Sequence, residues 1–125
     1  MKFQKEKKDQ YILLRPDAER LDAGAGQDLK AESVLLNAEG FRNIILDCSQ
    51  ITAGDPKGLS AIVLGSHLCR DKGGMFVVAS PTPKLLSELQ TLDLYHTLHV
   101  LPTLTEAVEA IFFNEIESEL NSDFD

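Results

Sequence analysis

The sequence predicts an α/β domain, a mixed and mostly parallel sheet of four to five strands layered with about four helices. Three observations predict it. Strand-like and helix-like segments alternate along nearly all of the 125 residues, the order that builds parallel strands through right-handed crossovers. Two short apolar runs, Ile44-Ile45-Leu46 and Phe76-Val77-Val78-Ala79, are unbroken, which suits strands covered on both faces. Two helix openings carry an Asp cap, at Asp22 and at Asp55-Pro56, where an Asp side chain accepts from the free N–H groups of the first turn.

Taken in order, residues 3 to 8 and 11 to 15 form two strands around the turn Asp9-Gln10. The first is Lys-rich and polar, as an edge strand should be, and the second is the apolar Tyr11-Ile12-Leu13-Leu14. A helix capped by Asp22 carries Ala25, Leu29, Val34, Leu35 and Ala38 and stops at Gly40. The strand at Ile44 ends in Asp47. After it, Asp55 as cap and Pro56 at the first helical position open a second helix, because the N–H that Pro lacks has no partner there anyway. That helix runs through Leu59, Ile62, Val63, Leu64 and Leu68 to Gly73-Gly74. The strand at Phe76 follows, then Ser80-Pro81-Thr82-Pro83 leads into a short helix with Leu85, Leu86 and Leu89. A brief strand over residues 98 to 101 precedes the last helix, where Leu104, Ala107, Val108, Ile111, Phe112 and Ile116 keep helical spacing. Residues 1 to 116 are expected to be one domain, and 117 to 125 a frayed acidic tail, since acids at a helix C-terminus oppose its dipole.

The formal net charge is −8, from 12 Lys and Arg against 20 Asp and Glu. Phosphate backbones are bound largely by Lys and Arg that release counterions, so the acidity argues against nucleic acid and anionic membrane. Its placement is uneven. From residue 104 onward there are seven acids and no base, which leaves the rest of the chain one charge from neutral. The basic opening residues lack the apolar stretch of a signal peptide, and no run reaches the roughly 18 apolar residues of a membrane span. Cys48 and Cys69 lie inside apolar or helical segments, so they are expected to be reduced core thiols of a cytoplasmic protein.

Catalytic and metal chemistry find little support. Gly24-Ala25-Gly26 lacks the third glycine and the preceding strand of a dinucleotide fingerprint, and no Gly-Lys-Ser or Gly-Lys-Thr is present for a phosphate loop. His67 and Cys69 do not share a helix face, while His96 and His99 lack the further carboxylates or thiols that would complete a ligand set. The serines stand without a base in any local signature. Asp17, Glu19, Asp22, Asp47 and Asp55 lie mostly at strand ends and helix starts, where capping accounts for them. The expectation is no catalytic residue, no metal and no cofactor.

The informative segment is Ile51-Thr52-Ala53-Gly54-Asp55-Pro56-Lys57-Gly58-Leu59-Ser60-Ala61-Ile62. It places a loop and a helix start just after a strand, where open α/β sheets present their binding edge. Together with Arg20-Leu21-Asp22, Ile44-Ile45-Leu46-Asp47, Lys72-Gly73-Gly74 and Leu92-Asp93-Leu94, in that order and spacing, the chain resembles the STAS domain family. That family is shared by anti-sigma factor antagonists and the cytoplasmic domains of sulphate transporters. The resemblance runs from Tyr11 to about Phe112.

The resemblance implies a binding module rather than a catalyst. In the antagonists the motif reads Asp-Ser-Ser-Gly-Leu, and the second Ser is phosphorylated by a partner that is both anti-sigma factor and serine kinase. A phosphate there sets nearly two negative charges beside an Asp in a docking surface that fitted a hydroxyl, and so releases the partner. Here Pro56 and Lys57 stand where the two serines belong, so the phosphosite-equivalent position holds an ammonium. Lys57 in a first helical turn opposes the dipole at a cost of about 0.3 to 1 kcal/mol.

The partner-binding residues implied are Asp22, Gly54, Asp55, Pro56, Lys57, Gly58, Leu59 and Ser60. The switch is lost, or moved to Ser60, Thr52 or Ser49. The expected partner is an anti-sigma factor of the serine-kinase type, and a homodimer is left open. The alternative is a structural adaptor subunit of a lipid-transport, ATP-driven transport or signalling complex, which need not keep a phosphosite. A small-molecule or nucleotide sensor with an anion at the helix start ranks last, because Asp55 repels an anion there.

Overall fold

In chain order the elements are β1 (Phe3–Lys7), β2 (Ile12–Pro16), β3 (Arg20–Leu21), α1 (Ala23–Ala38), β4 (Ile44–Asp47), β5 (Ala53–Gly54), α2 (Pro56–Asp71), β6 (Phe76–Ala79), α3 (Pro83–Thr91), β7 (His99–Leu101) and α4 (Leu104–Phe124). This computed structural model describes residues 1–124, the last three by backbone alone. The main sheet has the strand order β1-β2-β4-β6-β7. β1 is antiparallel to β2, and every other neighbouring pair is parallel. The mixed, mostly parallel sheet with four helices is therefore the architecture the sequence predicts.

β1 is the polar edge, with four of its five residues exposed. Lys7 lies opposite Ile12 and Lys8 N–H donates to Tyr11 O at 2.9 Å, so the link to β2 turns at Asp9-Gln10, where the sequence predicts it. The unbroken apolar runs have a physical reason in the layering. Ile12, Leu14, Ile44, Leu46, Phe76 and Val78 turn to one face, under Leu29 and Leu36 of α1, Leu59 and Ile62 of α2, and Leu85 and Leu89 of α3. Leu13, Ile45, Val77 and Ala79 turn to the other, against Ala107 and Ile111 of α4. Successive residues of a strand alternate faces, and both faces are covered, so neither can be polar. Each fully buried Leu or Ile adds roughly 1.5 to 3 kcal/mol.

α1 ends where the sequence predicts. Gly40 takes φ +99°, a left-handed conformation that a β-carbon penalises, and turns the chain toward β4. Cys48 and Cys69 are buried and unbridged. Among the described residues no helix is long and apolar enough to cross a membrane.

Not all of the architecture follows from the sequence reading. β3 and β5 form a separate two-residue parallel ladder, Arg20 opposite Ala53 and Leu21 opposite Gly54. α4 is helix through Phe124; Asp125 lies outside the described residues. The acids of α4 are also not alike. Glu115 is only 8% exposed and accepts from Asn43 Nδ2 at 2.7 Å while pairing with the Arg42 guanidinium. Phe112 and Ile116, expected on the inner face by their spacing, are exposed.

Candidate functional site

The parallel strands end at one edge of the sheet, and the segment from Cys48 to Ser60 crosses it. Asp47, the last residue of β4, is 3% exposed and accepts from Arg15 Nε of β2 at 2.8 Å and from Ser49 N–H at 3.0 Å. Burial alone would push the Asp47 carboxyl up, but the Arg15 and Ser49 hydrogen bonds outweigh it and hold the carboxyl below its ordinary range. The buried acid at the strand end is thus an ion-pair member rather than a helix cap.

Past Asp47 the backbone is fastened at every second or third residue. Cys48 N–H donates to Ala79 O at 2.9 Å, Ile51 N–H to Cys48 O at 3.1 Å, Thr52 N–H to Glu19 O at 2.7 Å and Asp55 N–H to Leu21 O at 3.1 Å. Thr82 Oγ1 donates to Ile51 O at 2.8 Å, and Gly54 N–H donates to Glu88 Oε2 of α3 at 2.9 Å. A segment with this many satisfied backbone groups presents its side chains from a rigid support.

Asp22 and Asp55 do the same work on adjacent helices. Asp22 Oδ1 accepts from Ala25 N–H at 2.9 Å at the start of α1, and Asp55 Oδ1 accepts from Gly58 N–H at 2.8 Å at the start of α2. Both have extended backbone at the cap, and Pro56 opens α2. The β3–β5 ladder sets the two helix starts side by side, and glycines allow the contact. A β-carbon on Gly58 would lie 1.8 Å from Leu21 O, and one on Gly26 would lie 2.8 Å from Gly58 Cα.

Of the sequence-predicted contact residues, Asp22, Pro56 and Lys57 are exposed, and Gly54, Asp55 and Ser60 are half-buried. Gly58 is buried and Leu59 is 0% exposed, so these two shape the turn from beneath. The hydroxyls differ in freedom. Ser60 Oγ donates back to Lys57 O at 2.7 Å, Thr52 Oγ1 donates to Glu19 O at 3.0 Å, and Ser49 is exposed beside Asp47. The side-chain supports that sequence reasoning misses are Arg15 and Glu88, while Glu19 and Leu21 hold the segment through their carbonyl oxygens.

Among the described residues no group of three or more His, Cys, Asp and Glu is arranged to hold a metal. The thiols do not offer nucleophiles. Burial pushes Cys69 up to about 12, and burial together with the neighbouring Asp47 charge pushes Cys48 higher still. The geometry is that of a rigid, exposed turn with one cation and two capping carboxylates.

No curated protein matches the chain. Among solved structures, a candidate anti-sigma factor antagonist of Thermotoga maritima superposes with a TM-score of 0.79 at 23% identity, covering 87% of this chain and 93% of that one. The anti-sigma factor antagonist SpoIIAA in its unphosphorylated form gives 0.73 at 18% identity, over 88% and 96%. A sulfate transporter family protein of Wolinella succinogenes gives 0.72 at 15% identity, over 90% of each. At these identities the likeness is one of fold. The STAS domain family model matches residues 2–107, from the edge strand into the first turn of α4, and the chain belongs to the STAS domain family.

Proposed function

We propose that this protein is a non-catalytic cytoplasmic regulator of the anti-sigma-factor-antagonist type, which binds an anti-sigma factor of the serine-kinase type and has lost the phosphorylation switch. Its docking surface is the turn formed by Asp22, Gly54, Asp55, Pro56, Lys57 and Ser60, with Gly58 and Leu59 as its support.

The observation that carries the reading is the exposed Pro56-Lys57 pair on the first turn of α2, fastened between β3 and α3. A rigid exposed turn at the strand-end edge suits protein recognition with little ordering cost on binding. The same fold occurs in SpoIIAA, solved in unphosphorylated and phosphorylated forms. In this chain the equivalent position is an amine, which a serine kinase does not phosphorylate. The nearest hydroxyl on α2, Ser60, is turned onto its own helix, which supports a lost rather than a moved switch.

The test is titration calorimetry against a purified anti-sigma factor of the serine-kinase type, with the wild type and Lys57→Glu. Binding that the charge reversal weakens tenfold or more is expected. Absent binding, or equal affinity for both, overturns the proposal.

The Lys57 ammonium also favours the adaptor reading, since a permanent subunit has no use for a release switch. Co-purification with an ATP-binding transporter subunit, and not with an anti-sigma factor, would decide for it.

A further inference from the structure

α4 has two apolar faces, and only one of them is used. The inner face packs Ala107 and Ile111 on the sheet, and Glu115 continues the same row one turn on, fastened to Asn43 at 2.7 Å and to Arg42. That buried carboxylate fixes the rotation of the helix about its axis. Steps of four residues advance about 40° around a helix of 3.6 residues per turn, so Phe112, Ile116 and Leu120 form a row beside the inner one and turned outward. They are 44%, 52% and 52% exposed, and Phe113 next to them is 66% exposed. A shallow groove lined by Leu104, Thr105, Val108, Glu109 and Phe112 extends the row toward the start of the helix. A contiguous exposed apolar stripe rimmed by polar groups marks an interaction surface.

The rim is of one sign. Glu109, Glu117 and Glu119 are exposed, none has an ion-pair partner among the described residues, and the sequence has no Lys or Arg from residue 104 onward. A second copy of this chain packed on the stripe would set these acids against their own equivalents, and juxtaposed like charges disfavour a partner. A basic partner meets the opposite field. The anchors recur at i, i+4 and i+8, the spacing that engages another helix laid along the groove.

We infer that the outer face of α4 is a second docking surface, for an amphipathic helix of a partner protein that carries apolar residues on one face and Lys or Arg beside them. The surface lies across the sheet from α1, α2 and α3, so it is separate from the turn at Lys57 and both are free to be occupied at once.

The test measures binding of two labelled synthetic helical peptides to the full chain by fluorescence anisotropy. The peptides share one leucine stripe and differ only in flanking Lys or flanking Glu. The Lys peptide should bind, and the Glu peptide at least tenfold more weakly. Phe113→Ser combined with Ile116→Ser should weaken the Lys peptide tenfold or more with an unchanged melting temperature, and Glu117→Lys with Glu119→Lys should invert the peptide preference. No binding of the Lys peptide, or equal binding of both peptides, overturns the inference. So does a wild-type dimer in sedimentation that Ile116→Ser dissolves, because it makes a second copy the occupant.

Discussion

Gly58 meets the carbonyl of Leu21 so closely that a β-carbon on it would fall 1.8 Å from the oxygen and 2.7 Å from Asp22 O. This contact joins the two helix starts. It lets Asp55 cap α2 while Asp55 N–H reaches Leu21 O, and it makes the turn at Pro56-Lys57 a fixed feature of the sheet edge.

Gly58→Ala must therefore displace backbone, not a side-chain tip. We expect it to destabilise the fold by about 3 kcal/mol, the upper end for overpacked sites. In Gly24→Ala the new β-carbon meets only Asp22 Oδ1 at an ordinary 3.6 Å, and that change should stabilise by about 0.4 to 1 kcal/mol through the unfolded chain. Thermal or urea unfolding of the two variants checks the contrast, and a neutral Gly58→Ala would mean the helix starts are free to separate.

Arg15 and Asp47 set an acid-dependent part of the stability. The Asp47 carboxyl is held below its ordinary value of 3.8, so its contribution is fully present above that value and is lost as pH falls through the folded value. Arg15→Gln should cost about 1 to 3 kcal/mol at pH 7, as a buried acceptor loses a charged partner. The gap between wild type and variant should narrow at pH 3. Melting temperatures across pH 3 to 7 measure it, and a constant gap would deny the pair this role.

The acids of the last helix should separate into two kinds. Glu115→Ala leaves Arg42 and Asn43 without their carboxylate and should cost about 1 to 3 kcal/mol. Glu117→Ala and Glu119→Ala, both exposed, should stay within about 0.5 kcal/mol. Removing residues 117–125 should keep the fold and the binding at Lys57 while lowering helix content and losing the Leu120 end of the outer stripe. Circular dichroism melts of the three variants and the truncation test this division.

Much of the fold was legible because the chain states it locally. The doubly covered strands show as Ile44-Ile45-Leu46 and Phe76-Val77-Val78-Ala79, and the helix starts as Asp22 and Asp55-Pro56, since capping and burial depend on neighbours in sequence. Long-range facts were not legible. The β3–β5 ladder has two residues on each side, too few to show a period, and it is made by backbone groups. Glu115 reads as one more acid of the tail because its partner Arg42 is 73 residues away. Phe112 and Ile116 match the helical spacing, and the packing of Ala107 and Ile111 on the sheet together with the anchoring of Glu115 turns them outward. At the candidate site the exposed residues were legible from the motif, whereas the burial of Leu59 and the hold of Glu88 on Gly54 depend on how α2 and α3 pack.

The two cysteines should be inert in the native state. Cys69 is pushed up to about 12 by burial and Cys48 beyond it, so neither forms thiolate near neutrality. A colorimetric disulfide reagent should find no thiol in the folded protein and two in guanidinium. Fast labelling of the native chain would contradict the buried placement of both.

The measurement that bears most directly on the central claim is a release assay with the kinase-type anti-sigma factor on a resin, the wild type or Lys57→Ser bound to it, and ATP added. Both forms should be captured. Only Lys57→Ser should gain phosphate, at residue 57, and leave the resin, while the wild type stays bound and unmodified. Phosphate on Ser60, Thr52 or Ser49 of the wild type, or failure of the resin to hold either form, would contradict the account.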